Sequence, residues 1–341
     1  HSPFSTTSST RPESVQWECS SSPAAAPYRA PRGGILAADV ITASGVSKRF
    51  GAKQAIRDLS LSVGRGEVVG LLGPNGSGKT TMVRLFNGLL RPDAGGVRVD
   101  GRDPLVDGDA VRAASGVLTE SAEFYGHLSA LDNLRFFADL YGVSDPTRPR
   151  SLLEEVGLGD DLHRRVATFS TGMRKRLGFA KALLHDPRVL FLDEPTNGLD
   201  PDGTRAVLAT IRRLNRTRGT TILICSHLLQ QLETVCHRYL FIDAGRLIEQ
   251  GTLAELKARY REAVLLEVDT DLEPAAAEAH GRAFEVAQVD GRRKLTFRLD
   301  DRAEVPGFLR RLVASADVYG AHVVEQGLEE LYFAIREEKV A

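Results

Sequence analysis

Apolar residues fall along this chain in three successive rhythms. Up to about residue 120 they come in short blocks separated by glycine and polar turns. Val40, Ile41, Val46 and Phe50 mark a strand over residues 40–51 that runs into Lys48-Arg49-Phe50-Gly51. Leu59, Leu61 and Val63 alternate with Ser60 and Ser62, the pattern of a half-buried antiparallel strand. Gly64-Arg65-Gly66 turns the chain into Val68-Val69-Gly70-Leu71-Leu72, apolar on both faces and therefore central in a sheet. A helix over residues 81–90, a strand over 95–101 ending in the turn Asp100-Gly101, and a short buried strand at Gly116-Val117-Leu118 follow.

The second rhythm is helical. Leu131, Leu134, Phe137 and Leu140, then Leu152, Leu153, Val156 and Leu158, predict helices without strands up to about residue 182, a helical subdomain inserted in an α/β core. Strands return at Val189-Leu190-Phe191-Leu192, closed by Asp193-Glu194, and over residues 221–226, ending at His227. Between them a helix starts at Pro201. A hairpin over 239–250 turns at Ala244-Gly245. Charged residues gathered just after strand ends predict a mainly parallel sheet with its site at the carboxyl edge.

Beyond about residue 260 the texture changes once more. Alternating segments at 263–268, 294–299 and 319–324, with helices near 305–314 and 328–337, predict a small C-terminal α+β module over residues 261–341 that holds no catalytic constellation. The larger unit before it spans 35–260, with the helical insert at about 121–185. Residues 1–34 are rich in Ser, Thr, Pro and Ala and lack both periodicity and the apolar segment of a secretory signal, so a disordered tail is expected there. The chain opens on His1 rather than Met, as an incomplete or over-extended frame would.

Charge narrows the partners. Lys and Arg (44) nearly balance Asp and Glu (45), so no bulk basic field points to nucleic acid, and no nucleic-acid partner is expected. Cys19, Cys225 and Cys236 are too few for a disulfide framework or a cysteine zinc site and are read as unremarkable residues of a reducing compartment. No apolar run approaches the ~18–20 residues that span a bilayer, so a membrane role would be borrowed from a partner.

The chemistry enters at Gly73-Pro74-Asn75-Gly76-Ser77-Gly78-Lys79-Thr80, followed by Thr81, between an apolar strand and a helix. Glycines let the backbone wrap an anion so that several N–H groups converge on phosphate oxygens, and the helix behind adds the positive end of its dipole. Lys79 supplies a cation for the β- and γ-phosphates. The Thr80 hydroxyl suits Mg²⁺.

A second stretch makes the reading specific: Phe169-Ser170-Thr171-Gly172-Met173, a basic helix, then Asp193-Glu194-Pro195-Thr196 and Gly198-Leu199-Asp200-Pro201. With Lys79 and His227, residues 38–255 resemble the ATP-binding-cassette (ABC) ATPases. The resemblance implies a P-loop NTPase core with an antiparallel β subdomain and the inserted helical subdomain, ATP and Mg²⁺ as cofactors, and two such subunits head to tail, each ATP lying between the phosphate loop of one and the signature segment of the other. It gives Asp193 to the Mg²⁺ sphere, Glu194 to the attacking water and His227 to the γ-phosphate, with Lys79 completing the catalytic set. Phe50 resembles the adenine-stacking aromatic, and Asp200 the aspartate that links the two subunits. Ser170 and Gly172 match the signature Leu-Ser-Gly-Gly-Gln, from which Thr171 and Met173 depart. Glu120 stands where most of the family has glutamine, and is expected to reach Mg²⁺ directly or through water. Arg174-Lys175-Arg176 reads as a solvated helix face.

The function so implied is ATP hydrolysis that powers an ABC transporter through a separate transmembrane permease subunit, with residues 120–133 against it, on the inner face of the cell membrane. Gly327-Leu328-Glu329-Glu330-Leu331-Tyr332-Phe333 is similar to the ending of drug, sodium or lipid exporter (ABC-2 type) ATPases, which tilts the reading toward export. The rival is a soluble cassette acting on ribosomes or DNA, although such proteins usually carry paired cassettes or long insertions.

Overall fold

The computed structural model describes residues 39–119, 123–260, 264–274, 277, 282, 284–289, 292–324 and 327–340. The expected tail over residues 1–34, and Glu120, lie outside these residues.

Two sheets share one interior. Strands β1 (Asp39–Phe50), β2 (Lys53–Gly64) and β4 (Ala94–Val99) form an antiparallel sheet in the order β2-β1-β4. The larger sheet holds β3 (Val68–Leu72), β5 (Ser115–Leu118), β6 (Val189–Asp193), β7 (Thr221–Ser226), β8 (Arg238–Asp243) and β9 (Arg246–Gly251) in the order β5-β6-β7-β3-β8-β9. All its pairings are parallel except β8 with β9. Every residue of β3, β6 and β7 is buried, as their unbroken apolar runs require.

Alternate residues of these strands serve two different cores. Val69, Leu71, Val189, Phe191, Leu223 and Cys225 pack with the antiparallel sheet and with helix α1 (Lys79–Phe86). Val68, Leu72, Leu190, Leu192, Ile222 and Ile224 face the other way. There they meet the inserted helices, which come in chain order after α2 (Gly108–Ala114): α3 (Ala130–Leu140), α4 (Arg148–Glu155) and α5 (Thr171–Ala182). Helix α6 (Pro201–Arg218) lies on the same face, with α7 (Leu229–Leu232) and α8 (Leu253–Arg259). This is the α/β P-loop NTPase architecture with an antiparallel β subdomain and a helical insertion.

The C-terminal region contains a strand that the pattern reading missed. β10 (Val264–Thr270), β11 (Phe284–Val289), β12 (Arg292–Leu299) and β13 (Val318–Val324) make an antiparallel sheet ordered β11-β12-β10-β13. Leu266, Val268, Leu295, Phe297 and Leu299 bury Phe308 and Leu312 of the helix Val305–Val313 in a core of their own.

The closing helix Leu328–Val340 behaves differently from the expectation that grouped it with this module. Its Leu328, Leu331, Tyr332 and Ile335 belong to the core of the large sheet, beside Leu229, Leu232, Val235, Phe241, Leu256 and Tyr260. The spacing i, i+3, i+4, i+7 is an apolar stripe, and the complementary apolar surface lies on the ATPase side.

Candidate functional site

Strand order explains why residues far apart in sequence meet. β6, β7 and β3 are adjacent and parallel, with Leu72 opposite Ser226 and Asp193 opposite Cys225. The segments that leave their carboxyl ends therefore share one edge. These are the phosphate loop after β3, Glu194 after β6 and His227 after β7. With the β1–β2 hairpin they line a cleft of about 350 Å³ holding Phe50, Asn75, Gly76, Gly78, Lys79, Thr80, Thr81, Asp193, Glu194 and His227.

The phosphate loop is built tightly against the sheet. A Cβ on Gly73 would stand 2.1 Å from the Ile242 carbonyl oxygen, and Gly78, at φ +113°, opens α1 directly. Lys79, only 6% exposed, turns back to donate from Nζ to the carbonyl oxygens of Gly73 at 2.7 Å and Pro74 at 3.1 Å. The side chain thus fixes the shape of the loop that precedes it. The buried Ser77 hydroxyl has no hydrogen-bond partner within the protein. A loop rich in convergent donors with such an orphan fits a polyphosphate.

Thr80 donates its hydroxyl to Asp193 Oδ2 at 2.7 Å. Two hard oxygen donors at this spacing fit Mg²⁺, which takes few protein ligands and keeps waters and phosphate oxygens for the rest. No group of three or more His, Cys, Asp or Glu able to hold a metal occurs among the described residues, so the fit rests on this pair with the nucleotide.

Glu194 is the most constrained residue of the cleft. It is 6% exposed and held at φ +51°, a left-handed conformation that costs an L-residue energy, with its N–H donated to the Cys225 carbonyl oxygen at 2.8 Å. Ser226 Oγ donates to Oε2 at 3.2 Å. Oε1 lies 2.9 Å from His227 Nδ1 and 3.9 Å from Lys79 Nζ, yet neither contact is aligned as a hydrogen bond. Oε1 is therefore a buried acceptor with unused capacity on the cleft wall. Such an atom suits a water poised for attack. Burial, and then the neighbouring Asp193 charge, push the Cys225 thiol well up, so it stays protonated behind the site.

Phe50 is 45% exposed at the rim rather than packed in the core, and Lys48 Nζ sits 5.7 Å from its ring centre. Ser170, Gly172 and Asp200 are not part of this cleft. They line a second cavity of about 350 Å³ with Thr171, Arg176 and Gly203. Ser170 caps α5 by accepting from Met173 N at 3.2 Å, and Asp200 caps α6 by accepting from Gly203 N at 2.7 Å, so both side chains already have local work. Met173, in the place of the signature glutamine, is buried.

The expectation of a solvated Arg174-Lys175-Arg176 face is corrected at Lys175, while Arg174 is exposed and Arg176 half-buried. Lys175 is 6% exposed, Arg174 donates to the Phe169 carbonyl oxygen and Arg176 to that of Gly157. The helix carries this run across its junction with the loops beside it, where basic groups satisfy carbonyls. Sequence reasoning also overlooked Lys53, Ala55 and Asn197 in the first cleft, and Ser226 beside Glu194. Asn197 stands three residues after Glu194, a signal that could have been followed. The expectation for Glu120 falls outside the described residues.

Known proteins are similar to this chain. The ABC transporter family model matches residues 56–197. The daunorubicin resistance ATP-binding protein DrrA3 of Streptomyces coeruleorubidus is 43% identical over 226 residues, covering 65% of this chain and 71% of that protein. A fluoroquinolones export ATP-binding protein of Mycobacterium tuberculosis is 36% identical over 300 residues, covering 87% and 93%. Among solved structures, the ATP-binding subunit of an ABC transporter has 29% identity and a TM-score of 0.61, covering 65% of this chain and 93% of that one.

Proposed function

Because the chain belongs to the ABC transporter family as an ATP-binding subunit, we propose that it hydrolyses ATP to drive export through a separate membrane-spanning permease, as a head-to-tail pair on the inner face of the cell membrane. The export reading is carried by one observation. Similarity to a protein named for fluoroquinolones export runs over 87% of this chain, well past the ATPase core into the C-terminal region. The daunorubicin resistance protein points the same way. No helix among the described residues is long and apolar enough to cross a membrane.

The chain's own groups divide the work. Phe50 offers a ring face to the adenine, and the N–H groups of residues 73–80 with Lys79 hold the phosphates. Thr80 and Asp193 hold Mg²⁺, which when bound neutralises charge on the β- and γ-phosphates. Glu194 would orient the attacking water through Oε1, and His227, 2.9 Å from that oxygen, would meet the γ-phosphate. Ser170 and Gly172 of the second subunit meet the same γ-phosphate from the opposite side.

The test is co-purification of the tagged chain with membrane proteins from its own cells, followed by ATPase assays of whatever complex is recovered and reconstituted. Stimulation by a hydrophobic drug cargo supports export. Stimulation by ribosomes or DNA, with no membrane protein recovered, supports the soluble rival.

A further inference from the structure

The closing helix Leu328–Val340 is fastened to two segments that stand behind the first cleft. Gly327 precedes it and has no side chain with which to cap it. Glu330 Oε2 reaches back to accept from Gly327 N at 2.8 Å. The free N–H of the first helical residue finds its acceptor on another element: Glu233 Oε1 accepts from Leu328 N. A Cβ on Gly327 would stand 2.8 Å from that same Oε1, so glycine is what lets the carboxylate approach. Gln230 Nε2 adds a second tie, donating to Glu329 Oε2 at 3.0 Å.

Both tying residues sit on the segment that follows His227. Helix α7 starts two residues after the histidine, and Glu233 is its C-cap. A helix of four residues cannot hold its own position, so α7 is placed by what it packs on. Leu229 and Leu232 share their buried cluster with Leu328, Leu331 and Ile335.

At its other end the helix reaches the phosphate loop's support. Arg336 Nε donates to Asp243 Oδ2 at 3.0 Å, and Asp243 is about 9% exposed at the end of β8. The turn after it contacts the loop directly, Gly245 N donating to the Ser77 carbonyl oxygen at 3.0 Å. One helix therefore holds the segment behind His227 and the turn behind Ser77.

We propose that the closing helix is a positioning device for ATP hydrolysis, with Glu233 and Arg336 as its positioning residues. Glu233 sets α7, and through it where His227 stands against Glu194. Arg336 sets the turn that backs the phosphate loop. This rests on the hydrolytic reading of His227 and Glu194 given above. It also alters what the C-terminal region is for: the sheet β10–β13 is appended to the cassette, whereas the helix after it is part of the catalytic frame.

The test compares Glu233→Ala in the full chain with the same substitution in a His227→Ala background. In the unmodified background kcat should fall about five- to tenfold, with KM and the ATP bound per chain within about twofold of their starting values. In the His227→Ala background the second substitution should cost nothing further, because the residue through which it acts is gone. Glu233→Gln, which keeps an acceptor oxygen, should recover most of the rate. Equal losses in both backgrounds, or no loss in the first, would overturn the proposal and leave the helix as scaffold. If His227→Ala alone left kcat unchanged, the catalytic reading of His227 would fail and the proposal with it. Should Glu233→Ala not fold, Gly327→Ala, which crowds the carboxylate without removing it, carries the same comparison.

Discussion

The two cavities differ in how complete they are. The first is walled by strand ends and buries Lys79, Asp193 and Glu194 to 6% exposure or less, each tied to a named partner. The second is lined by the starts of α5 and α6, where Ser170 and Asp200 serve as helix caps and no ionised side chain is buried. Burying charge is costly unless it is satisfied, so the first cavity is organised before anything enters it. The second presents small residues and helix-start N–H groups at the surface, an anion-binding face without a floor. In the proposed head-to-tail pair it would be half of a site, with the first cavity of another subunit as the other half.

That contrast can be broken at several points. The largest effect is expected for Glu194→Gln, which keeps shape but removes the water-orienting charge: turnover should fall by about 100-fold or more while ATP binding persists. A single-turnover assay beside equilibrium binding separates the two. Lys79→Ala should weaken ATP binding by roughly 30- to 100-fold, since it removes the cation and loosens the loop it clamps. Calorimetric titration measures this, and unchanged affinity would remove Lys79 from the site.

Ser170→Ala, in the second cavity, should leave the affinity of a single subunit for ATP untouched and reduce turnover by about tenfold, the loss of one hydrogen bond and one cap. A drop in single-subunit affinity would mean that the two cavities are not separate. Phe50→Ala should be mildest, weakening ATP and ADP alike by about three- to fivefold through lost ring stacking. Equal binding of an abasic triphosphate by the wild type and Phe50→Ala, with ATP weakened only in the latter, would locate the effect at the base.

Much of the first cavity was legible in sequence because its parts are local. A glycine loop between a buried strand and a helix, and acidic residues closing an apolar run, declare themselves within ten residues. The second cavity was legible only as a resemblance, since Ser170 and Asp200 are also ordinary helix caps. Asn197 escaped because a turn residue carries no periodicity to show which cavity it lines, and Lys53 because a strand's first residue can face either way. β11 escaped because Ala287 and Gln288 break, after three residues, the alternation that Phe284, Glu285 and Val286 begin. The closing helix showed its apolar stripe, but a stripe does not name the surface it meets. Truncation shows the consequence: ending the chain near Tyr260 would bare the surface that Leu328, Leu331, Tyr332 and Ile335 cover, at about 1.5–3 kcal/mol per side chain. Excising residues 264–324 while keeping the helix should leave ATP binding intact.

The most direct test of the two half-sites is sedimentation of the Glu194→Gln chain with Mg²⁺-ATP, with and without Ser170→Arg. Two ATP held between two subunits should give a dimer that is lost when the arginine blocks the second cavity, while ATP binding to each subunit remains. A Glu194→Gln chain that stays monomeric with saturating ATP, or a dimer indifferent to Ser170→Arg, would contradict the joining of the two cavities.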